Sequence, residues 1–288
     1  MASTRQLKSR VKSVKGTRQI TKAMQLVAAS KMRRAQDVAN QVQLYSDAAR
    51  ELLTHLRSLP DTLNHHLFKQ RPVKTRLVVL ITSDKGLAGA YNANALKRYA
   101  ELLKSDKAAG VETKTICIGR KAAQFVSRIK DIDVIGVYQQ FPDRPTDNDL
   151  EPIISTALSQ FTDQTVDSVD VIYTEYKNSI TQIASTKQLL PAGFQDTTVS
   201  DSVAQASFEP SAEHVLEATT KRLIAVQLYQ AYLDSVASEQ SMRMIAMKNA
   251  TDNAGDLIDA LTLEMNKVRQ AGITQELSEI SGGVEAMK

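Results

Sequence analysis

All seven prolines of this 288-residue chain fall between Pro60 and Pro210, so residues 1–59 and 211–288 contain none. Proline interrupts helix interiors, because it lacks an N–H and its ring clashes with the preceding turn. Its absence over stretches this long licenses two extended helical arms around a proline-containing middle. Glycine follows the same division, with Gly16 the only glycine before Gly86. Runs that read as strands occur only in the middle.

In the first arm Ala35, Val38, Val42, Tyr45, Ala49, Leu52, Leu56 and Leu59 recur at alternating spacings of three and four. That spacing lays one apolar stripe along a helix and suits a coiled-coil seam. Upstream, Leu7, Val11, Val14 and then Ile20, Met24 and Val27 carry the same spacing with one slip near Thr17. A helix over roughly 4–58 is predicted, about 80 Å long at about 1.5 Å per residue. In the second arm Val226, Tyr229, Leu233 and Val236 form one such set, and Ala254, Ile258, Leu261, Met265 and Val268 another. Gln240, Met244 and Met247 keep the phase between them. This predicts a helix over roughly 210–280, about 105 Å long. The arms lie at opposite ends of the chain, so an antiparallel coiled coil is the economical pairing. Two amphipathic helices in a compact bundle are the alternative.

The middle reads as α/β. Arg76–Thr82 (RLVVLIT) is a buried-type strand, with further strands at Thr113–Ile118 and Asp133–Tyr138. Asp170–Tyr176 and Ile180–Leu189 suggest a hairpin around Lys177-Asn178. Helical stretches near 92–107, 120–129 and 147–164 alternate with the first four strands. Such alternation implies a mostly parallel sheet with right-handed crossovers, to which the hairpin adds an antiparallel strand.

Candidate chemistry is sparse. Ser83-Asp84-Lys85-Gly86-Leu87-Ala88-Gly89 follows a strand and precedes a helix, where backbone N–H groups can cradle phosphate. Its spacing matches neither G-x-G-x-x-G nor G-x-x-x-x-G-K-[ST], so a structural turn is the favoured reading. A small α/β phosphate-binding enzyme using Gly86 and Gly89 remains the competing one. Ile118-Gly119-Arg120 ends a strand in the same way with less signal. His65 and His66 sit after Pro60, where a solvated pair is commoner than a metal site. Cys117 is the single cysteine, which rules out an intramolecular disulfide and a thiolate cluster. No catalytic triad order or carboxylate pair stands out, and neither a cofactor nor a metal is expected.

Residues 1–36 carry ten Lys or Arg and no acid. A targeting peptide, a surface for nucleic acid or acidic lipid, and a surface for an acidic protein all fit that charge. The net charge of +4 is too modest to imply general nucleic-acid affinity. The apolar stripe running straight through to Leu59 argues against a cleaved leader. No apolar run approaches the roughly 20 residues that cross a bilayer.

Ser9–Ala35 reads SRVKSVKGTRQITKAMQLVAASKMRRA, and the stretch from Ser238 begins SEQSMRMIAMKNATDNAGDLI and ends NKVRQAGITQ. Both resemble the terminal signatures of the F-type ATP synthase gamma subunit family, and TSDKGLAGAYN at 82–92 resembles its central motif. The likeness spans both ends and the centre. One departure is Gly283, where the family usually has Ala, which implies a last turn prone to fray. The resemblance implies an antiparallel coiled coil of N- and C-terminal helices (1–59 and 209–288) with a central, Rossmann-like α/β domain (73–195). It implies a non-catalytic central-stalk rotor subunit that couples proton-driven c-ring rotation to ATP synthesis or hydrolysis. Implied partners are three alpha and three beta subunits, an epsilon subunit and the c-subunit ring, with no nucleic acid. The family's coupling contacts correspond to Met24, Arg243, Gln270 and Thr274, and the loop around Phe208-Glu209-Pro210 to the region near the c ring. The missing transit peptide points to a bacterial chain, peripheral on the cytoplasmic face of the inner membrane.

Overall fold

The computed structural model describes residues 4–57, 65–130, 132–193, 198–200, 208–209 and 211–286. Leu59, Pro60 and Pro210 lie outside them. In chain order the elements are α1 (Thr4–Arg57), a 3₁₀ turn (His66–Phe68), β1 (Thr75–Ile81), α2 (Tyr91–Ala109), β2 (Glu112–Ile118), α3 (Arg120–Val126), β3 (Asp133–Tyr138), α4 (Asp147–Thr162), β4 (Ser168–Tyr176), β5 (Gln182–Leu190) and α5 (Ala212–Ala286). The chain divides into two compact units, one of residues 1–28 with 243–288 and the other of residues 29–242. The long helices α1 and α5 contribute to both.

The larger unit is built on a five-stranded sheet in the order β3-β2-β1-β4-β5. The first four strands are parallel and β5 runs antiparallel to β4, as the alternation of strands and helices anticipates. Along β1 the side chains alternate between two cores. Leu77, Val79 and Ile81 join α4 (Ile153, Phe161) and α5 (Leu228, Val236) on one face. Val78 and Leu80 join Tyr99 of α2 and Val126 of α3 on the other. Cys117 is buried in this second core, and burial pushes its thiol up to about 11, so it acts as a small apolar group. Element ends fall within two residues of those read from the sequence, except that α3 stops at Val126, three residues early, and α5 runs to Ala286, six residues past its expected end.

In this unit α1 and α5 pack in opposite directions. Leu53 and Leu56 meet Leu216 and Leu223, and the Gln230 side chain donates to Gln43 at 2.6 Å. The seam departs from the expected stripe. Tyr45 is 50% exposed, with the Arg222 guanidinium 5.8 Å above its ring, whereas Ser46 and Leu53 are fully buried. The buried Ser46, Ala49, Leu53 and Leu56 continue the seven-residue register of Val11 and Leu7, so the seam runs one residue along from Tyr45 and Leu52 while Ala49 and Leu56 of the expected stripe keep their places. The α5 helix is buried almost all round between Leu223 and Ser241, because it meets α1 on one side and the sheet on another.

In the smaller unit the two helices again run antiparallel. The Thr21 hydroxyl accepts from Thr251 at 2.8 Å, and Arg18 lies against Gly255. Leu7, Val11, Thr21, Ala28, Met247, Ala254 and Ile258 are buried. These α1 residues keep one seven-residue register, so the expected slip near Thr17 does not occur. Ile20 and Val27, expected in the seam, are 63% and 57% exposed. Small Thr21 and Ala28 take the seam positions and let the backbones approach. At the other end α5 is helical through Gly282 and Gly283 to Ala286.

Candidate functional site

The loops after β1 and β2 are the places where this α/β fold most readily binds phosphate, and here the start of α3, after β2, is held by the end of β1 and the loop that follows it. The Arg120 N–H at the start of α3 donates to the Asp84 carboxylate at 2.8 Å. The Lys121 N–H donates to Ser83 O at 3.2 Å, and the Ala122 N–H to Thr82 Oγ1 at 2.8 Å. Ser83 is bonded in turn to Asn92. The first amides of α3 are therefore already committed within the chain. Gly119, at φ 94°, makes this possible, because any Cβ there collides with the Thr82 carbonyl.

The histidines also have structural work. His65 Nδ1 accepts the Leu67 N–H and stacks on His66 with ring centroids 4.5 Å apart. Burial, then the neighbouring His66, lowers its pKa. Among the described residues no group of histidine, cysteine and carboxylates is placed to hold a metal. None of the described helices is long and apolar enough to cross a membrane.

The remaining candidate is the smaller unit's surface. All four residues expected to contact partners lie in it, in two groups. Met24 on α1 is half-buried and Arg243 on α5 is buried. Both lie on the same side of the Thr21–Thr251 contact, about 8 Å apart along the helices. Gln270 and Thr274 are exposed, one turn apart, with the Thr274 hydroxyl donating to Gln270 O at 3.0 Å. They lie about 28 Å or more to the other side of that contact. The four residues thus form no single pocket.

Met24 stands between Ile20 and Val27, so the stripe Ile20–Met24–Val27 is an outward apolar face beside the seam. Leu26 on α1 and Leu257, Leu263, Ile273, Leu277 and Ile280 on α5 add further exposed apolar side chains. The α1 part also exposes Arg5, Lys8, Arg10, Lys12, Lys15, Arg18 and Lys22. Exposed apolar side chains rimmed by charge are the pattern of a surface that binds protein or membrane, which makes this face the candidate site. The α5 residues escaped sequence reasoning. Their signal is position, since most sit off the Ala254–Val268 stripe yet are large and apolar.

Comparison with known proteins identifies the family. A family profile described as ATP synthase matches residues 3–287. The chain is 43% identical to the ATP synthase gamma chain of Opitutus terrae, over 98% of this chain and 97% of that one. It is 39% identical to the ATP synthase gamma chain of Cupriavidus pinatubonensis, with both chains fully covered. Among solved structures, a chain of the Euglena gracilis mitochondrial ATP synthase superposes with a TM-score of 0.66 at 18% identity, over 99% of this chain and 94% of that one. A chain of the Tetrahymena thermophila mitochondrial ATP synthase central stalk and c-ring structure superposes with a TM-score of 0.59 at 24% identity, over 80% and 99%. With two long helices around a five-stranded α/β sheet, and curated relatives matched from end to end, the chain belongs to the ATP synthase gamma chain family.

Proposed function

We propose that this chain is the central-stalk rotor subunit of a bacterial F-type ATP synthase and carries no catalytic site of its own. The outward apolar stripe Ile20–Met24–Val27, beside exposed basic residues, is the observation that supports it most directly. A helix pair that buries Thr21 and Ala28 while exposing Ile20 and Val27 is built to present apolar surface to other chains. In this reading residues 1–59 and 209–288 form the shaft inside a ring of three alpha and three beta subunits. Residues 73–195 serve as its globular base, facing an epsilon subunit and the c ring, with Phe208 and Glu209 near that ring. Met24, Arg243, Gln270 and Thr274 contact the ring at two levels. The assembly is peripheral, on the cytoplasmic face of the inner membrane.

Mechanism follows from symmetry. One asymmetric shaft in a threefold ring touches each beta subunit differently, so the three catalytic sites differ at any instant. Proton flow turns the c ring and the shaft, and rotation exchanges those states by differential contact. In this reading the chemistry stays on the ring. The test is reconstitution of membrane vesicles whose ATP synthase lacks its gamma subunit. The chain is expected to co-purify with alpha and beta subunits and restore ATP-driven proton pumping. Failure to associate with them overturns the proposal.

A further inference from the structure

A rotor must grip its own globular part, and apolar packing alone is a poor grip. Apolar contact is non-directional and fixes the setting of a helix only through the fit of its side chains. Hydrogen bonds are directional and resist such turning. The larger unit contains a cluster of them where α5 meets the sheet. The β4 strand pairs with β1 only from Ser168 to Ile172, and past Ile172 its side toward β1 has no strand partner. There α5 takes the strand's place. The Thr174 N–H donates to Ser235 Oγ at 3.0 Å, and Ser238 Oγ donates to Thr174 O at 3.1 Å. One turn on, Ser241 Oγ donates to Ser179 O at 2.9 Å and accepts from Gln182 Nε2 at 3.3 Å.

Ser235, Ser238 and Ser241 recur every three residues, so they share one face of α5. All three are buried at 1% exposure or less. Serine is short enough to let helix and strand backbones approach, and its hydroxyl both donates and accepts. Two of these serines belong to the SEQSM stretch, where the expected partner contact is Arg243 and not the serines.

We propose that Ser235, Ser238 and Ser241 are positioning residues that lock α5 to the β4–β5 hairpin and carry torque between them. The proposal rests on the rotor reading above. Its test uses the whole chain reconstituted into gamma-deficient membrane vesicles, with ATP hydrolysis and proton pumping measured together. The unaltered chain tests the rotor reading by itself, because failure to restore pumping removes that reading and this one with it. Given that restoration, S235A/S238A and S241A are expected to keep hydrolysis and lower pumping per ATP by about twofold or more. Val236→Ala is the control. It removes apolar packing from the same interface and leaves every serine bond in place, so normal pumping per ATP is expected. An unchanged ratio in the serine variants, or an equal loss in V236A, overturns the lock. The single variant S238A keeps the test open if the double variant does not assemble, and it too is expected to lower the ratio.

Discussion

Replacing Arg76 by Met is expected to destabilise the α/β unit in a way that acid partly repairs. Arg76 on β1 binds two buried carboxylates at once. Its Nε donates to Asp106 Oδ2 at 3.0 Å, and its Nη1 contacts Asp170 Oδ2. The Asp106 and Asp170 side chains are only 5% and 4% exposed. Thr113 and Ser168 each donate one further bond to the pair. Methionine matches the length of the stem but removes the cation that bridges them, leaving two desolvated carboxylates together. Breaking a buried charge set in this way costs about 3–5 kcal/mol. In a chain of this size that corresponds to a fall in Tm of roughly 10 °C. The pH dependence identifies the cause. Burial already holds Asp170 above the ordinary carboxylate range, and the bonds and charge of Arg76 pull it back down. Without Arg76 it rises further. A group whose folded pKa exceeds its unfolded one favours the fold below the unfolded pKa, and that advantage is lost as pH rises through the folded pKa. The deficit in Tm should therefore be large near pH 8 and shrink as pH falls toward about 5. Thermal unfolding followed by tyrosine emission suits a chain without tryptophan. A deficit that stays constant or grows on acidification refutes the reasoning. Adding Asp106→Asn and Asp170→Asn to the variant should restore most of the loss, because the set is then removed as a whole.

Burial, followed by the charge of Glu175, raises Asp234 on α5 to about 6. Asp234→Asn is accordingly expected to raise Tm at pH 8, with the gain fading below about pH 4 where both states are protonated; a gain independent of pH contradicts the assignment. Met24→Lys adds a cation to the outward stripe, where an exposed pair with a carboxylate is worth about 0–1 kcal/mol. The complex should assemble and hydrolyse ATP but pump fewer protons per ATP, and an unchanged ratio in vesicles removes the role given to Met24. The isolated chain should bind no ATP at micromolar concentration in equilibrium dialysis, since the spacing around Gly86 fits no phosphate-loop motif and the first amides of α3 at the neighbouring strand end are held by Asp84, Ser83 and Thr82; stoichiometric binding contradicts this.

Most of the fold was legible because its signals are local and redundant. The missing prolines, the apolar run RLVVLIT and the alternation of strands with helices each point the same way. The first strand is buried on both faces, so its run is continuous and needs no phase to be recognised. Boundaries moved where tertiary contact extends an element, as at Ser168, whose hydroxyl bonds Asp170 within the Arg76 set. The serine lock was not legible. Serine carries no periodic hydrophobic signal, and its partner Thr174 lies some 60 residues away in a strand whose free edge only the topology reveals.

The helix seam shows why periodicity finds a helix more reliably than it finds the buried face. Ile20, Met24 and Val27 obey the coiled-coil spacing, and so do Thr21 and Ala28 as continuations of Leu7, Val11 and Val14. The two stripes differ by one residue, about 100° around the helix. Hydrophobicity favours the first stripe, and the structure buries the second. Burial against the partner helix rewards small side chains where backbones come close, as at Thr21 facing Thr251. Large apolar residues one step away are then left exposed. A long helix that carries two competing stripes, the smaller one in register with the rest of the seam, fits the proposed shaft, which needs one set of partners within the chain and another outside it. That doubled pattern carries more functional information than either stripe alone. It is also the feature that a monomeric bundle, which has only one interior to fill, has no reason to maintain.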